Sequence, residues 1–375
     1  AIFACINTLL FFQFRKPIPS PNTDQVKRIL VIKLFGRGSI LLMTPMFRSL
    51  KNIYPHTEIT LLTFQENVSF CDYIEGVDHV LTLRRRSSFI DFVIDVFRNL
   101  LPLWRNRPDI VIDGEFFSNF TSLFSLFVFS PVKVGFYMRF LSQRNHFTHK
   151  VPINPHHHIM YAFDSLAVAL GASYRAFDSS SLFLKTPDED IFVDVVRKLN
   201  LREDSKIIVV NANASELCLM RRWPKNHFIE LISELAKRHP DYYYVFVGSQ
   251  VEQAYVGTIV QQIDLPNVHD SSGQLDINEY LSILRNSQLI ITNDSLPVHV
   301  ASAYNKDVVV FWGPESPNFY GPLSKHNLSF FSNIPCSPCL LVFDNKGEID
   351  CKDNICLKQV TPEFALKRIE GKFFR

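Results

Sequence analysis

The sequence predicts an α/β protein made of two doubly wound domains in tandem, with a cleft between them. Short apolar runs alternate with amphipathic helical segments, which is typical of a parallel sheet covered by helices. The alternation occurs in two separate series, and 375 residues are enough for two domains of ordinary size. Because ligands of such sheets bind at the carboxyl ends of the strands, the residues that follow each strand are the candidate site.

The first series extends over residues 22–185. Its predicted strands are "RILVIKL", "EITLLTF", "HVLTL" and "DIVIDG". A helix is predicted over "SILLMTPMFRSLKNIYP", directly after the first strand, and another over the amphipathic segment "SSFIDFVIDVFRNLLPLWRNRP". We expect this series to form the first domain.

The second series extends over residues 186–360, and a helical stretch, "KTPDEDIFVDVVRKLNLRED", connects it to the first. Its predicted strands are "KIIVVNA", "YYYVFVG", "NVHD", "QLIITND" and "DVVVFWG", with helical segments between them. Residues 336–356 form a cysteine-rich loop within this domain, and residues 361–375 predict a C-terminal helix.

Composition and charge limit the class of protein. Hydrophobic residues make up 47% of the chain and charged residues 20%, as in a globular protein, and a net charge of +2 argues against a dedicated nucleic-acid binder. The 34 Phe residues require a large core, a membrane-facing surface, or both. Residues 1–21 begin with the stretch "AIFACINTLLFFQF", which is apolar but too short to cross a bilayer. They predict either an anchor on the membrane surface or a helix packed on the protein's own surface.

Four cysteines near the C-terminus are clustered with a C-x2-C-x11-C-x4-C spacing. They are Cys336, Cys339, Cys351 and Cys356. The spacing resembles that of structural zinc sites and therefore predicts a bound zinc ion. The alternative is a loop that uses these thiols for packing.

Polar residues follow the first strand of the second series. Asn213, Ser215, Arg221 and Arg222 come after "KIIVVNA", and a Trp-Pro pair then opens the next helix. Two guanidinium groups beside a helix start form a suitable clamp for a pyrophosphate. The alternative is a solvated surface turn.

Later strands of the second series also end in candidate ligand-binding residues. Glu252 follows "YYYVFVG" and can accept hydrogen bonds from a ribose diol, although an acid in a first helical turn also complements the helix dipole. Asp294 and Ser295 follow "QLIITN", and His299 lies one turn further along. Backbone amides at this helix start suit a diphosphate, while the alternative for Asp294 and Ser295 is simple N-capping.

The first domain has a glycine corner between its first strand and first helix. Gly36, Arg37, Gly38 and Ser39 occupy it, and none of them is an acid. The acids of this domain instead follow the strand "DIVIDG", where Asp113 and Glu115 stand two residues apart. A carboxylate at such a strand end can act as a general base, whereas the alternatives are a capping Asp113 and a solvated Glu115.

Several stretches together resemble glycosyltransferase family 9, the ADP-heptose:lipopolysaccharide heptosyltransferases and their relatives. They are "RILVIKLFGRGSILLMTPMFRSLKNIYPHTEITLLT", "RRWPKNHFIELISEL", "DSSGQLDINEYLSILRNSQLIITNDSLPVHVASAYNKDVVVFWGP" and "CSPCL…CLKQVTPE". The resemblance implies a GT-B fold, in which the first Rossmann-like domain binds the acceptor and the second binds the nucleotide-sugar. It further implies inverting transfer without a metal cofactor.

The same resemblance implies the partners and the roles of individual residues. The donor would be ADP-heptose, and the acceptor a lipid-linked or other cell-envelope glycan at the cytoplasmic face of the bacterial inner membrane. Arg221 or Arg222 would take the basic diphosphate position and Glu252 the ribose-contacting acid. Asn213 and Ser215 stay with the donor side, and Asp294, Ser295 and His299 would form the donor loop.

Two departures from the family pattern bear on the mechanism. The family's usual corner reads Gly-Asp where this chain has Gly38-Ser39, and that Asp is the expected base. Leu296 replaces the Gly of the usual Asp-Ser-Gly-Pro donor loop, so a side chain stands where backbone would approach phosphate. Because a Ser hydroxyl cannot act as a base unaided at neutral pH, we expect the base to be Glu115, with Asp113 second.

Two other functions fit this architecture. A nucleotide-sugar epimerase would act on the donor without an acceptor, and a non-catalytic relative would bind a nucleotide-sugar as a scaffold. The two departures favour the scaffold, whereas the largely intact donor-side pattern favours the transferase.

Overall fold

The computed structural model describes residues 25–85, 88–116, 118–137, 144, 146–202, 204–214, 218–340 and 351–374. The chain divides into two compact units, Ala1–Phe177 and Asp178–Arg375. The division falls before the boundary at residues 185 and 186 that the sequence predicts. The predicted N-terminal segment 1–21 lies outside the described residues.

The first unit contains one parallel sheet with the order β3-β2-β1-β4-β5-β6 among its described residues. The strands are β1 Arg28–Ile32, β2 Glu58–Phe64, β3 His79–Leu83, β4 Ile110–Asp113, β5 Val132–Phe136 and β6 His149–Val151. The helices are α1 Arg37–Leu42, α2 Thr44–Ile53, α3 Val68–Cys71, α4 Phe89–Arg105, α5 Asn119–Phe127 and α6 Ile159–Val168.

The second unit repeats this organisation with the order β12-β11-β10-β7-β8-β9, again counting the described residues. The strands are β7 Lys206–Asn211, β8 Tyr242–Phe246, β9 Val268–Asp270, β10 Leu289–Asn293, β11 Val308–Trp312 and β12 Asn327–Phe331. The helices are α7 Glu189–Lys198, α8 Lys225–Arg238, α9 Gln253–Ile263, α10 Ile277–Asn286, α11 Leu296–Ala303, α12 Pro317–Tyr320, α13 Ile355–Lys358 and α14 Pro362–Phe373. Both units are therefore Rossmann-like, which confirms the predicted fold class.

The helix predicted after the first strand is interrupted. It forms two helices, α1 and α2, which meet at Met43. Pro45 stands at the start of α2, where its missing N–H breaks the ladder of hydrogen bonds, and the Thr44 hydroxyl donates to the carbonyl of Leu41 at 2.8 Å instead. This break ends α1 after six residues.

The strand order creates one switch point in each sheet. In the first unit β1 lies between β2 and β4, with Ile32 paired to Asp113. In the second unit β7 lies between β8 and β10, with Asn211 paired to Thr292. The chain runs to opposite sides of the sheet from these central strands, so the loops after them separate and leave a crevice. The residues after β1, β4, β7 and β10 are therefore the ones best placed to bind a ligand.

The cores of the two units consist of strand residues and the apolar faces of the helices. In the second unit Trp223 and Phe311 stack with ring centroids 4.0 Å apart, and Phe330 continues the stack. Helix α14 packs on this core through Leu366 and Ile369. Within the described part of the chain, no helix combines the length and the apolarity needed to cross a bilayer.

Candidate functional site

The glycine corner of the first unit begins directly after β1. Gly36 caps α1 with a φ of 85°, a conformation that side chains disfavour. A Cβ built at Gly36 would lie 3.3 Å from the Ser39 hydroxyl oxygen. Glycine at this position therefore permits the corner and leaves room for the Ser39 side chain in the first turn of α1, beside Arg37 and Gly38.

Glu115 holds the segment that leads into this corner. Its Oε1 accepts hydrogen bonds from the backbone N–H groups of Leu34 at 2.7 Å and Phe35 at 2.9 Å. Its Oε2 accepts a hydrogen bond from Lys33 Nζ at 2.8 Å, within a buried ion pair. Glu115 is thus not solvated, and the structure brings the acid after β4 against the corner after β1.

Asp113 is fully buried and forms a second ion pair with Arg144, 3.2 Å from a guanidinium nitrogen. It also accepts hydrogen bonds from the Thr121 hydroxyl and from the backbone N–H of Glu115, both at 3.0 Å. Burial raises the pKa of Asp113, and Arg144 opposes that shift. Asp113 therefore orients the loop that carries Glu115.

Arg144 ties this loop to the neighbouring strand. Its guanidinium donates to the carbonyls of Glu115 and Phe136, each at 3.2 Å, and to that of Ser118 at 3.4 Å. The side chain is fully buried. Arg144 and Lys33 were not among the residues that the sequence singled out. A lysine directly after the apolar run of β1 is a signal that was available, whereas the sequence around Arg144 gives none.

Replacing Arg144 by Met is expected to lower the free energy of unfolding by about 3–5 kcal/mol, because Asp113 would remain buried without its cation. Urea unfolding followed by circular dichroism measures the effect. The matched control is Arg98→Met on α4, an exposed arginine whose replacement is expected to change stability by less than about 0.5 kcal/mol. Equal stability of the two variants would contradict the role assigned to Arg144.

Asparagine side chains organise the corresponding crevice of the second unit. Asn211 donates to the Thr292 hydroxyl at 3.0 Å and to the Ser295 hydroxyl at 2.8 Å. Asn293 donates to the carbonyls of Ala212 and Asn213, and so holds the loop after β7 against the loop after β10. The sequence interpretation included Asn213 and Ser295 but missed Asn211 and Asn293, which lie inside the strands.

In this crevice, a buried polar atom of Asn213 that lacks a hydrogen-bond partner in the described part of the chain best indicates a bound ligand. Its Nδ2 donates to the carbonyl of Val247 at 2.9 Å, but its Oδ1 is buried and accepts no hydrogen bond from the described residues. Gly248 packs so closely that a Cβ there would lie 2.7 Å from Asn213 Nδ2. A donor group of a bound molecule would satisfy the Asn213 oxygen. Ser215, which was predicted beside it, lies outside the described residues.

The two arginines of the predicted clamp have different surroundings. Arg221 donates to a carboxylate oxygen of Asp294 at 2.9 Å and to the Asp294 carbonyl at 2.6 Å. Burial alone would lower the pKa of Arg221, but Asp294 and Glu315 outweigh it and hold the pKa above its usual value. Arg221 is therefore already paired.

Arg222 lies over the ring of Tyr255, with its guanidinium carbon 4.4 Å from the ring centroid. It donates a long hydrogen bond of 3.4 Å to the carbonyl of Ala214, and its Nε has no partner among the described residues. No carboxylate of the described part of the chain forms an ion pair with it. Of the two arginines, Arg222 is the one with donors left for an anion.

Glu252 caps its own helix. Its Oε2 accepts hydrogen bonds from the backbone N–H of Ser249 at 2.8 Å and from the Ser249 hydroxyl at 2.7 Å, in a reciprocal capping box. Glu252 lies beside Gly248, which also contacts Asn213. The side chain thus reaches the same crevice, but one carboxylate oxygen is engaged in the cap.

The donor loop predicted after β10 forms the start of α11. Ser295 is the N-cap residue, yet its hydroxyl accepts from Asn211 instead of capping the helix. Leu296 is the first residue of the helix, and His299 is buried in its first turns. The loop therefore belongs to the same network as Asn211, and the amides of α11 begin beside Asp294.

The predicted zinc site is not supported. All four clustered cysteines are described, and no three His, Cys, Asp or Glu side chains within the described residues group together as metal ligands. Cys336, Cys339 and Cys351 are exposed, whereas Cys356 is buried, and its sulfur packs against Gly313. Burial raises the pKa of the Cys339 thiol, and the thiols of Cys356, Cys351 and Cys336 add to that shift, so these cysteines lie near one another although they form no such ligand group among the described residues.

Comparison with known proteins identifies the family. A model described as glycosyltransferase family 9 (heptosyltransferase) matches residues 105–348, well over half of the chain. The chain belongs to glycosyltransferase family 9. This confirms the resemblance inferred from the sequence motifs.

An individual member of the family matches this chain at modest identity and over only part of its length. Lipooligosaccharide heptosyltransferase 2 of Haemophilus influenzae is 27% identical over 153 residues, which cover 40% of this chain and 42% of the relative. The chain thus aligns with less than half of that relative's length. The similarity to this family member supports a shared origin but does not by itself assign an activity to this chain.

Solved structures of the family extend the likeness to nearly the whole fold. The ADP-heptose lipopolysaccharide heptosyltransferase II of Escherichia coli superimposes with a TM-score of 0.73 at 19% identity, covering 92% of this chain and 98% of that one. A family 9 glycosyltransferase from Veillonella parvula gives 0.74 at 20% identity, covering 95% and 99%. These matches confirm the predicted GT-B fold.

Proposed function

We propose that this protein is a glycosyltransferase that moves a heptose from ADP-heptose to a lipopolysaccharide or another cell-envelope glycan acceptor. The observation that carries the proposal is the pair of polar crevices at the switch points of two Rossmann-like sheets in a family 9 chain. ADP-heptose is the donor named for the similar Escherichia coli enzyme. Such an acceptor grows on the cytoplasmic face of the bacterial inner membrane, where we place the protein.

The second domain would bind the nucleotide-sugar. Asn213 Oδ1 would accept a hydrogen bond from the donor, and Glu252 would accept from the ribose diol with its uncommitted oxygen. Arg222 would bind the diphosphate, held in place by Tyr255, while Arg221 would fix the donor loop through Asp294. The amides at the start of α11 would add further donors to the leaving group.

The first domain would bind the acceptor and supply the base. The Glu115 carboxylate would take the proton from the acceptor hydroxyl as its oxygen bonds to the anomeric carbon. The bond from that carbon to the phosphate oxygen breaks, and ADP leaves from the opposite face, so the configuration inverts. Oε2 of Glu115 retains one lone pair beyond the one engaged by Lys33, whereas both lone pairs of Oε1 are engaged by the N–H groups of Leu34 and Phe35.

The decisive assay supplies the purified chain with ADP-heptose and an extracted core acceptor that lacks heptose. ADP release together with a mass increase of one heptose on the acceptor supports the proposal. Conversion of the donor without acceptor would identify an epimerase-like enzyme instead. Donor binding in a thermal shift, with no turnover on any acceptor, would identify a scaffold.

Removal of divalent metal is expected to leave the transfer rate within about twofold of the untreated rate, because cationic side chains and helix amides stabilise the leaving ADP in place of a metal. The measurement is the initial rate after dialysis against EDTA, with and without added Mg²⁺. A rate that falls to background and returns with Mg²⁺ would refute metal-independent transfer.

A further inference from the structure

Helix α4 of the first domain carries an apolar stripe on its outer face. Ile90, Ile94, Phe97 and Leu101 are spaced as one side of a helix and are all exposed, Ile90 to 69% and Phe97 to 52%. We call these four residues the α4 stripe. It is about 17 Å long, from the rise per residue of a helix. Exposed apolar surface of this extent marks an interaction site.

The stripe continues onto an aromatic surface at the end of α4. Phe97 contacts Trp104 with ring centroids 6.5 Å apart, and Trp104 contacts Phe129 at 6.1 Å. Phe129 is itself 55% exposed. The indole N–H of Trp104 donates to the carbonyl of Phe127 at 2.8 Å, so the ring can face an apolar medium without an unpaired donor.

Cationic side chains border this surface. Arg98 and Arg105 are both exposed on α4. Arg98 directly follows Phe97, and Arg105 follows Leu101 by four residues, so both arginines lie along one side of the α4 stripe. Arg107 lies over Phe129, with its guanidinium carbon 5.6 Å from the ring centroid. Asp91 is the exposed acid on the same helix. A basic border along one side of an apolar stripe is complementary to a membrane interface that contains anionic lipid.

The opposite end of the surface approaches the acceptor corner. Phe89, the first residue of α4, is 80% exposed. Arg85, four residues earlier, lies over the rings of Phe35 and Phe64 and pairs with Glu66. Phe35 belongs to the segment that leads into the glycine corner and is held by Glu115. The apolar surface therefore extends towards the place where an acceptor on a lipid would enter.

We propose that the α4 stripe, with Trp104 and Phe129, lies on an anionic lipid bilayer. The helix would lie flat in the interface, with its apolar side chains among the acyl chains and its arginines among the headgroups. The choice of a bilayer as partner rests on the basic border and on the lipid-linked acceptor of the proposed function, whereas the exposure of the surface does not depend on that function.

Tryptophan fluorescence tests this orientation on the full chain. Of the three tryptophans, Trp223 and Trp312 are fully buried, and Trp104 lies on the proposed surface. Vesicles of phosphatidylethanolamine and phosphatidylglycerol with brominated acyl chains are therefore expected to quench Trp104, and Trp104→Phe is expected to abolish that quenching. Phosphatidylcholine vesicles measure the contribution of lipid charge, and sedimentation measures binding.

A matched pair of exposed phenylalanines supplies the control. Phe97→Ser is expected to weaken partitioning into the anionic vesicles by about tenfold, whereas Phe364→Ser on α14, which is 50% exposed, leaves it unchanged. Failure of the full chain to sediment, binding without quenching of Trp104, or equal binding of Phe97→Ser would each overturn the proposal. No sugar is present, so these results are independent of the transferase assay.

Discussion

Replacing Glu115 by Gln is expected to lower the rate of heptose transfer by about a thousandfold while ADP still binds. The amide cannot take the proton of the acceptor hydroxyl, and loss of a general base typically costs about 10²–10⁴-fold in rate. The measurement is kcat from ADP release under saturating substrates. The thermal shift produced by ADP reports the donor site, which lies in the other domain.

The substitution has a structural cost that must be separated from the chemical one. The carbonyl oxygen of the new side chain would still accept from the N–H groups of Leu34 and Phe35, but its NH₂ group would face the buried Lys33 ammonium. Breaking a buried ion pair costs about 3–5 kcal/mol of stability. A fall in activity could therefore come from a displaced corner rather than from a missing base.

The variant Lys33→Met separates the two explanations. It breaks the same ion pair but leaves the carboxylate of Glu115. The variant therefore keeps the proposed base and loses the ion pair that holds the corner in place. If Glu115 is the base, Lys33→Met retains most of the transfer rate and Glu115→Gln does not. If Glu115 only braces the corner, the two variants lose activity and stability together, and the relocated base is refuted.

Restoring an acid at the corner provides a rescue. Ser39 stands where the family pattern has Asp, and it lies in the first turn of α1 close to Gly36. In the Glu115→Gln background, Ser39→Asp is expected to raise the transfer rate by at least about tenfold, with a pH profile that rises through the carboxyl pKa. If the double variant transfers heptose no faster than Glu115→Gln, the hypothesis that the base moved from position 39 to Glu115 is contradicted.

The alternation of strands and helices predicted most of the fold. It predicted the central strands β1, β4, β7 and β10 because these are continuous apolar runs, buried on both faces. It missed β5, β6 and β12, which lie towards one edge of their sheets and include polar residues such as Lys133 and Ser329. At such positions tertiary pairing, not local pattern, forms the strand.

The candidate site shows the same limit at the level of single residues. Following the strand ends predicted the positions of Glu115 after β4 and Asp294 after β10, since strand ends meet at one edge of a parallel sheet. The pattern could not reveal that Lys33 pairs with Glu115 or that Arg144 pairs with Asp113, because partners so far apart along the chain meet only in the packed fold. It also could not distinguish Arg221 from Arg222.

Replacing Arg222 by Met is expected to lower kcat/KM by about a hundredfold without changing the melting temperature. Arg222 has no carboxylate partner among the described residues, and its guanidinium is held over Tyr255 with donors free. Those donors would stabilise the charge that develops on the departing diphosphate, an effect worth about 10²–10³-fold for one lost contact. The measurements are steady-state kinetics and the affinity for ADP by calorimetry.

Arg221→Met is the matched control, because it removes the neighbouring guanidinium from a different environment. Asp294 would be left buried without its cation, so the melting temperature of this variant is expected to fall and its activity to follow its stability. Arg221→Lys keeps the charge and is expected to recover most of both. If Arg222→Met keeps full kcat/KM and ADP affinity while Arg221→Lys folds normally but loses both, then Arg221 is the diphosphate ligand, and the pairing with Asp294 is the resting arrangement that the donor displaces.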